Sequence, residues 1–273
     1  MGTEARYWRD VALPLEAMRA RFREHVYPVH SHDAYSFGIT DSGAQRFRCR
    51  GAAHTSGAGM VMAFNPDEAH DGQKASELGY HYRIVHLGPA LVREVLTDAA
   101  DGGPGELPLF SRPVLDDPAL AATLARLYAA VAGGTDPLVR DERVTEAVLA
   151  MTARGATRAP RHRAPVATAQ RQLARRIRAL LHEANVRPIS ADGLAAAAGC
   201  SRFALYRAFR AEYGMAPSDY QRVLRLRRAR TLLAAGAGPA AVAADCGFAD
   251  QPHMARWFRR TYGITPGMFV RAS

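Results

Sequence analysis

The chain has 273 residues, 48% of them hydrophobic and 23% charged. At about 150 residues per domain this predicts roughly two domains with real cores, and it excludes a disordered, collagen-like or low-complexity protein. The net charge of +10 is unevenly divided. Residues 1–153 hold 15 basic and 20 acidic side chains, a net of −5, whereas residues 154–273 hold 21 arginines and 6 acids, a net of +15. A basic half joined to a mildly acidic half points to nucleic acid on one side and a different partner on the other. No apolar run approaches the roughly 18 residues of a membrane span, and the opening MGTEARYWRD has no apolar stretch to serve as a secretory signal. Three scattered cysteines (Cys49, Cys200, Cys246) suit neither a disulfide frame nor a cysteine-based zinc site. The expected compartment is the reducing cytoplasm, with no membrane partner.

In chain order, residues 24–90 read as β structure. Short apolar runs (Tyr35–Thr40, Gln45–Cys49, Met60–Asn65, Tyr80–Leu87) are separated by Gly, Pro, Asp and Ser turns, the spacing of a small barrel or sandwich. A short helix is predicted over 89–97, followed by a Gly-, Pro- and Asp-rich loop at 98–108. Asp117-Pro118 starts a helix to about Ala132, and Asp136-Pro137 another to about Arg154. Their apolar stripes are Leu120, Leu124, Leu127 and Val131, then Val144, Val148 and Met151. Such a hairpin fits a homodimer surface or packs on its own barrel. The run GATRAPRHRAPVAT at 155–168 has no periodicity and reads as an interdomain linker. The predicted division is therefore 1–154, linker 155–168, and a helical domain over 169–273.

The helical half repeats itself at an offset of 49 residues. Leu205–Arg222 (LYRAFRAEYGMAPSDYQR) and Met254–Arg271 (MARWFRRTYGITPGMFVR) share seven of eighteen residues. Each repeat follows a helix-turn-helix pattern. Ser190 caps a short helix over Ala191–Ala198, Gly199 makes the turn, and Ser201 caps the next helix. In the second unit the first helix is Ala240–Asp245, the turn glycine Gly247, the cap Asp250, and the second helix Gln251–Tyr262. Cys200 and Cys246 beside the turn glycines read as small core residues. Between the units a helix from Pro217 to about Ala235 is roughly 27–30 Å long, against about 34 Å for a turn of B-DNA.

On these residues the stretch 169–273 resembles the AraC/XylS family of bacterial transcription regulators. The run ADCGFADQPHMARWFRRTYGITPGMF at 244–269 carries the resemblance, with Pro252 and Met254 where Ser and Phe are commoner. The family's DNA contacts fall on the second helix of each unit. By position they are Arg202, Phe203, Tyr206, Arg207 and Arg210, then Gln251, His253, Arg256 and Arg260. The same comparison makes Phe209, Phe258 and Trp257 core residues. It implies double-stranded promoter DNA and RNA polymerase as partners.

His30-Ser-His32, then Gly59-MVMAFN-Pro66-DEA-His70, resemble the two short motifs of the cupin barrel, an effector domain often found in this family. The glutamate of metal cupins is absent, since residues 35–37 are Tyr-Ser-Phe. Three readings stay open: a polar ligand pocket, a three-histidine metal site completed by water, or histidines satisfied within the fold. The pocket reading leads, with His30, His32, Tyr35, His70 and Tyr82 as ligand-binding residues and no metal or cofactor. His81 and His86, on a predicted strand with Tyr80 and Tyr82, are further candidates to face the same pocket, but alternation sends His81 to the opposite face from the tyrosines, so not all can. The expected whole is an all-β cupin-like barrel with a helical hairpin, then an all-α domain of two helix-turn-helix units joined by a long helix. The expected function is ligand-responsive regulation of transcription without catalysis; the alternative is a metal-dependent cupin enzyme with an accessory DNA-binding domain.

Overall fold

The computed structural model describes residues 4–10, 13–99, 107–134, 137–157, 168–184, 189 and 191–272. The chain forms two compact units, one built mainly from residues 1–26 and 31–161, the other mainly from 162–270. Tyr27–His30 hydrogen-bonds as a strand to His70–Lys74.

The first unit carries the strands β1 (Glu4–Arg9), β2 (Leu15–Phe22), β3 (Tyr27–His30), β4 (Tyr35–Cys49), β5 (Ala52–Gly57), β6 (Val61–Phe64), β7 (His70–Lys74), β8 (Tyr80–Leu87) and β9 (Val114–Leu115). Its helices are α1 (Pro89–Ala99), α2 (Pro118–Ala132) and α3 (Pro137–Gly155). The sheet runs β1-β2-β8-β4-β6-β9, while β5 and β7 pair with the far half of β4. β4 therefore belongs to two layers. It changes layer at a register shift between Thr40 and Ser42, next to Gly43, whose φ is +71°. A Cβ on Gly43 would lie 2.1 Å from the Gly79 carbonyl oxygen, so the crossing requires glycine there.

The period-2 alternation of the strands sorts two faces. Odd-numbered residues of β2, β4, β6 and β8 (Leu15, Ala17, Phe37, Ile39, Val61, Ala63, Val85, Leu87) face the helices and pack with Leu120, Leu124, Leu127, Val144, Val148 and Met151 of α2 and α3. Both helical stripes predicted from sequence are thus buried in their own unit, apart from the half-buried Val131. Asp117 caps α2 by accepting from the Ala119 and Leu120 amides. Asp136, the expected cap of α3, lies outside the described residues, as do 158–167, most of the expected linker.

Two strands precede the region expected to be β. LEAMRARF of β2 has the composition of a helix, but its alternate residues Leu15 and Ala17 are buried against the helices, while Met18, Ala20 and Phe22 are buried on the other face. Pairing with β8 along its whole length decides its conformation over local propensity.

The second unit contains α4 (Thr168–Glu183), α5 (Ala191–Ala198), α6 (Arg202–Tyr213), α7 (Pro217–Ala234), α8 (Pro239–Asp245), α9 (Gln251–Tyr262) and α10 (Pro266–Arg271). Ser190 lies outside the described residues. The long helix α7 buries Tyr220, Val223, Leu224, Leu226, Ala229 and Leu233 and ends before Gly236, whose φ is +87°. Phe209, Phe258 and Cys246 are fully buried, whereas Cys200 is half-buried. Trp257 is only partly buried, so it is not a core residue as expected. It lies one residue off the stripe Met254, Phe258, Thr261 and Tyr262 that α9 buries.

Candidate functional site

The two helix-turn-helix units are built by the same local devices. Gly199 and Gly247 take φ of +68° and +71° at the turns. A Cβ at Gly199 would meet nothing within 4 Å, so backbone conformation alone calls for glycine. Ser201 Oγ accepts from the Ala204 amide at 3.2 Å, and the Asp250 carboxylate accepts from the His253 amide, fixing where α6 and α9 begin. Both helices end on a left-handed glycine, Gly214 and Gly263, whose amides donate to the Arg210 and Arg259 carbonyls. Arg225 of α7 donates to the Gly247 carbonyl at 3.0 Å and ties the second turn to the long helix.

Tyr206, Arg207 and Arg210 stand exposed on α6, and Tyr206 and Arg207, four and three residues before Arg210, each neighbour it on the helix surface. Arg202 and Phe203 belong to the same helix, but their side chains lie outside the described ones. On α9, Gln251, Arg256 and Arg260 are exposed. His253 differs from them: half-buried, its Nε2 accepts the indole N–H of Trp257 at 3.0 Å. Trp257 also meets two guanidiniums, Arg222 of α7 at 3.8 Å from the ring centroid and Arg260 at 5.3 Å. An arginine stacked on an indole loses less freedom when it binds a phosphate. Of the residues expected to contact DNA, Tyr206, Arg207, Arg210, Gln251, Arg256 and Arg260 are thus exposed and His253 is half-buried.

The second candidate site is a cluster of histidines. Side-chain nitrogens of His30, His32 and His70 lie within 4.8 Å of one another. His86, a further candidate from the sequence, joins this group: its ring centroid is 4.7 Å from that of His32, and the His32 and His70 rings are 5.4 Å apart. The inward face of β4 and β8 explains this: Ser36 and His86 are register partners, with Ser36 Oγ 2.8 Å from His86 Nδ1. Tyr82 shares that face and packs on Phe22 and Tyr80. Tyr35, one residue from Ser36, faces the other way. Its ring packs against Phe37 and Phe110 in the helix-side core, and its hydroxyl donates to the Pro108 carbonyl at 2.8 Å. His81 also lies on the outward face.

Backbone carbonyls set the tautomers of two of these rings. His30 Nδ1 is 2.8 Å from the Pro28 carbonyl and His70 Nδ1 is 2.8 Å from that of Glu68. A carbonyl only accepts, so each Nδ1 carries a proton. His70 stacks on Phe64 at 4.0 Å, and burial depresses its pKa to about 4; the nearby His86 adds to this and the Glu68 carbonyl opposes it. The loop bearing His70 is held by Glu68, paired with Arg50, and by Asn65, which donates to the Phe110 carbonyl and accepts from the Phe110 amide. The arrangement offers a group of imidazoles in a largely buried place, suited to a polar ligand or, through the nitrogens of His30, His32 and His70, to a divalent metal of zinc type.

Known proteins resemble both units. A family model described as an AraC-like ligand binding domain matches residues 13–148, and one described as a helix-turn-helix domain matches residues 194–272. YbfI of Bacillus subtilis, an uncharacterized HTH-type transcriptional regulator, is 25% identical over 245 residues, spanning 90% of this chain and 87% of that protein. The HTH-type transcriptional regulator GbdR of Pseudomonas aeruginosa is 41% identical over 88 residues, 32% of this chain and 24% of GbdR. The crystal structure of ToxT from Vibrio cholerae shares the fold, with a TM-score of 0.53 and 11% identity over 98% of this chain and 96% of that one. The chain belongs to the AraC family of transcription regulators: it is a ligand-responsive DNA-binding regulator with an AraC-like ligand binding domain ahead of its helix-turn-helix units.

Proposed function

We propose that a small polar effector binds among His32, His70 and His86, joined by His30 and Tyr82, and changes how the regulator engages promoter DNA. The observation that carries this is the clustering of four histidines, three of them buried, with the His32 ring 4.7 Å from that of His86 and 5.4 Å from that of His70. DNA is contacted by α6 and α9 through Arg202, Phe203, Tyr206, Arg207, Arg210, Gln251, Arg256 and Arg260, while His253 acts through Trp257. Residues 1–154 form the effector domain, 155–168 join it to the rest, and 169–273 bind DNA. The protein works in the cytoplasm as a homodimer that addresses RNA polymerase, and it carries out no catalysis. A second reading is favoured by the close approach of the His30, His32 and His70 nitrogens: the effector is itself a divalent metal, or is held through one.

The test is the double variant His32→Ala/His70→Ala. DNA affinity without effector stays within about twofold of wild type, and the effector's influence on DNA binding disappears, since a ligand acts only through differential affinity for two states. An effector response that survives the change overturns the reading. Elemental analysis of the purified protein separates the two forms: the metal reading requires about one equivalent in the wild type, lost in the double variant.

A further inference from the structure

The outward face of β1, β2 and β8 changes character along its length. Register brings Trp8, Ala17 and Val85 side by side, and α2 covers this end, with Tyr128 edge-on to Trp8 at 5.6 Å. The next row outward is Arg6, Arg19 and Arg83, and the one after it Glu4, Arg21 and His81. Like charges directly opposed across antiparallel strands are destabilising. Arg83 is answered by Asp41, which accepts from its Nε and Nη2 at 2.6–3.0 Å. Among the described residues, no carboxylate stands within ion-pairing distance of Arg6, Arg19 or Arg21.

These side chains enclose a cleft of about 310 Å³, lined by Glu4, Arg6, Arg19, Ala20, Arg21 and His81. That is the low end of the size range of small-ligand sites. His81 Nε2 is shielded from solvent and has no hydrogen-bond partner among the described residues. Burial, then the Arg21 and Arg19 charges, hold the His81 imidazole below its usual range, against weaker pulls from Asp41 and Glu4. Three guanidiniums against one carboxylate leave two positive charges uncompensated around a concave surface.

We propose that this cleft binds a small dianion, a phosphate monoester or a dicarboxylate, through Arg19 and Arg21 with Arg6 at its rim and His81 as an additional donor. Guanidinium forks hold phosphate and carboxylate oxygens in pairs, and the imidazole becomes a donor on both nitrogens once an anion offsets the neighbouring arginines. The site lies on the face of the sheet opposite the histidine cluster, so the regulator carries two ligand sites in one domain.

Calorimetric titration of the full-length protein with inorganic phosphate, and separately with succinate, at constant ionic strength set by chloride, tests this. The wild type binds at least one of them saturably at the cleft, and Arg19→Gln/Arg21→Gln weakens that affinity at least tenfold, whereas Arg112→Gln leaves it unchanged. The arginines of the helix-turn-helix units are identical in all three proteins, so the difference isolates the cleft. The arm that binds more tightly names the ligand class. The double variant melts no lower than wild type without ligand, because it relieves like-charge repulsion. If it fails to fold, NMR titration of the wild-type His81 ring decides: its midpoint moves up when the dianion is present. The proposal is overturned if neither dianion outcompetes chloride, if the variant binds like wild type, or if the arginine changes weaken only duplex DNA binding.

Discussion

Arg207 and Arg256 occupy equivalent places in the two repeats, each exposed, each off the buried stripe of its helix. Arginine in a major groove bridges guanine O6 and N7. Arg256→Ala should cost about 1–3 kcal/mol on the cognate site and relax preference at one or two base pairs, measured by competition with single-base variants of the duplex. Arg210→Ala should weaken all sequences alike and reduce the salt slope, as loss of a phosphate contact does. A uniform loss for Arg256 would reassign it to the backbone. In the other domain, His70 titrates far below an unfolded histidine because burial disfavours its charged form. Unfolding therefore takes up a proton between about pH 6.5 and about pH 4, so the stability this residue confers is complete above 6.5 and declines as pH falls through that window. In chelator-treated protein, His70→Phe should flatten the dependence of melting temperature on pH across that window; an unchanged dependence would place the cause elsewhere.

At the scale of elements, the crossing of β4 at Gly43 is the tightest constraint on the first unit. Alanine there combines a φ of +71° with an approach of 2.1 Å to the Gly79 oxygen. Gly43→Ala should lower stability by at least about 1–3 kcal/mol in chemical denaturation, and a change under about 0.5 kcal/mol would show that the bend relaxes freely. The helices were legible because their signals are local: Asp117-Pro118 marks one start, Gly236 one stop, and the repeat of Gly214 and Gly263 pairs two ends. The strands were less so. β1 and β2 exist because β8 pairs with β2, a contact distant in sequence that composition does not encode. Tyr35 was assigned to the pocket without knowing the phase of alternation; the register with β8 places Ser36, not Tyr35, beside His86. His86 was a candidate for the pocket from its place on the strand with Tyr80 and Tyr82, and the folded sheet sets its ring 4.7 Å from that of His32. Trp257 was assigned to the core by position, but it lies one residue off the buried stripe of α9 and is only partly buried, against Arg222 of α7.

For the whole molecule, charge already separated the two tasks, −5 over residues 1–153 and +15 over 154–273. The basic half contains the repeated units, and the acidic half contains the histidine cluster. The central claim is that sequence is read by α6 and α9. Fluorescence anisotropy of the full chain tests it most directly, on a duplex selected from a random pool and on a scrambled one, across a range of salt. The account predicts at least about 10³-fold preference for the selected duplex in the wild type. In Arg207→Ala/Arg256→Ala it predicts that most of that preference is lost while salt-sensitive binding to both duplexes remains. Equal affinity of the wild type for both duplexes, or undiminished discrimination in the double variant, would contradict it.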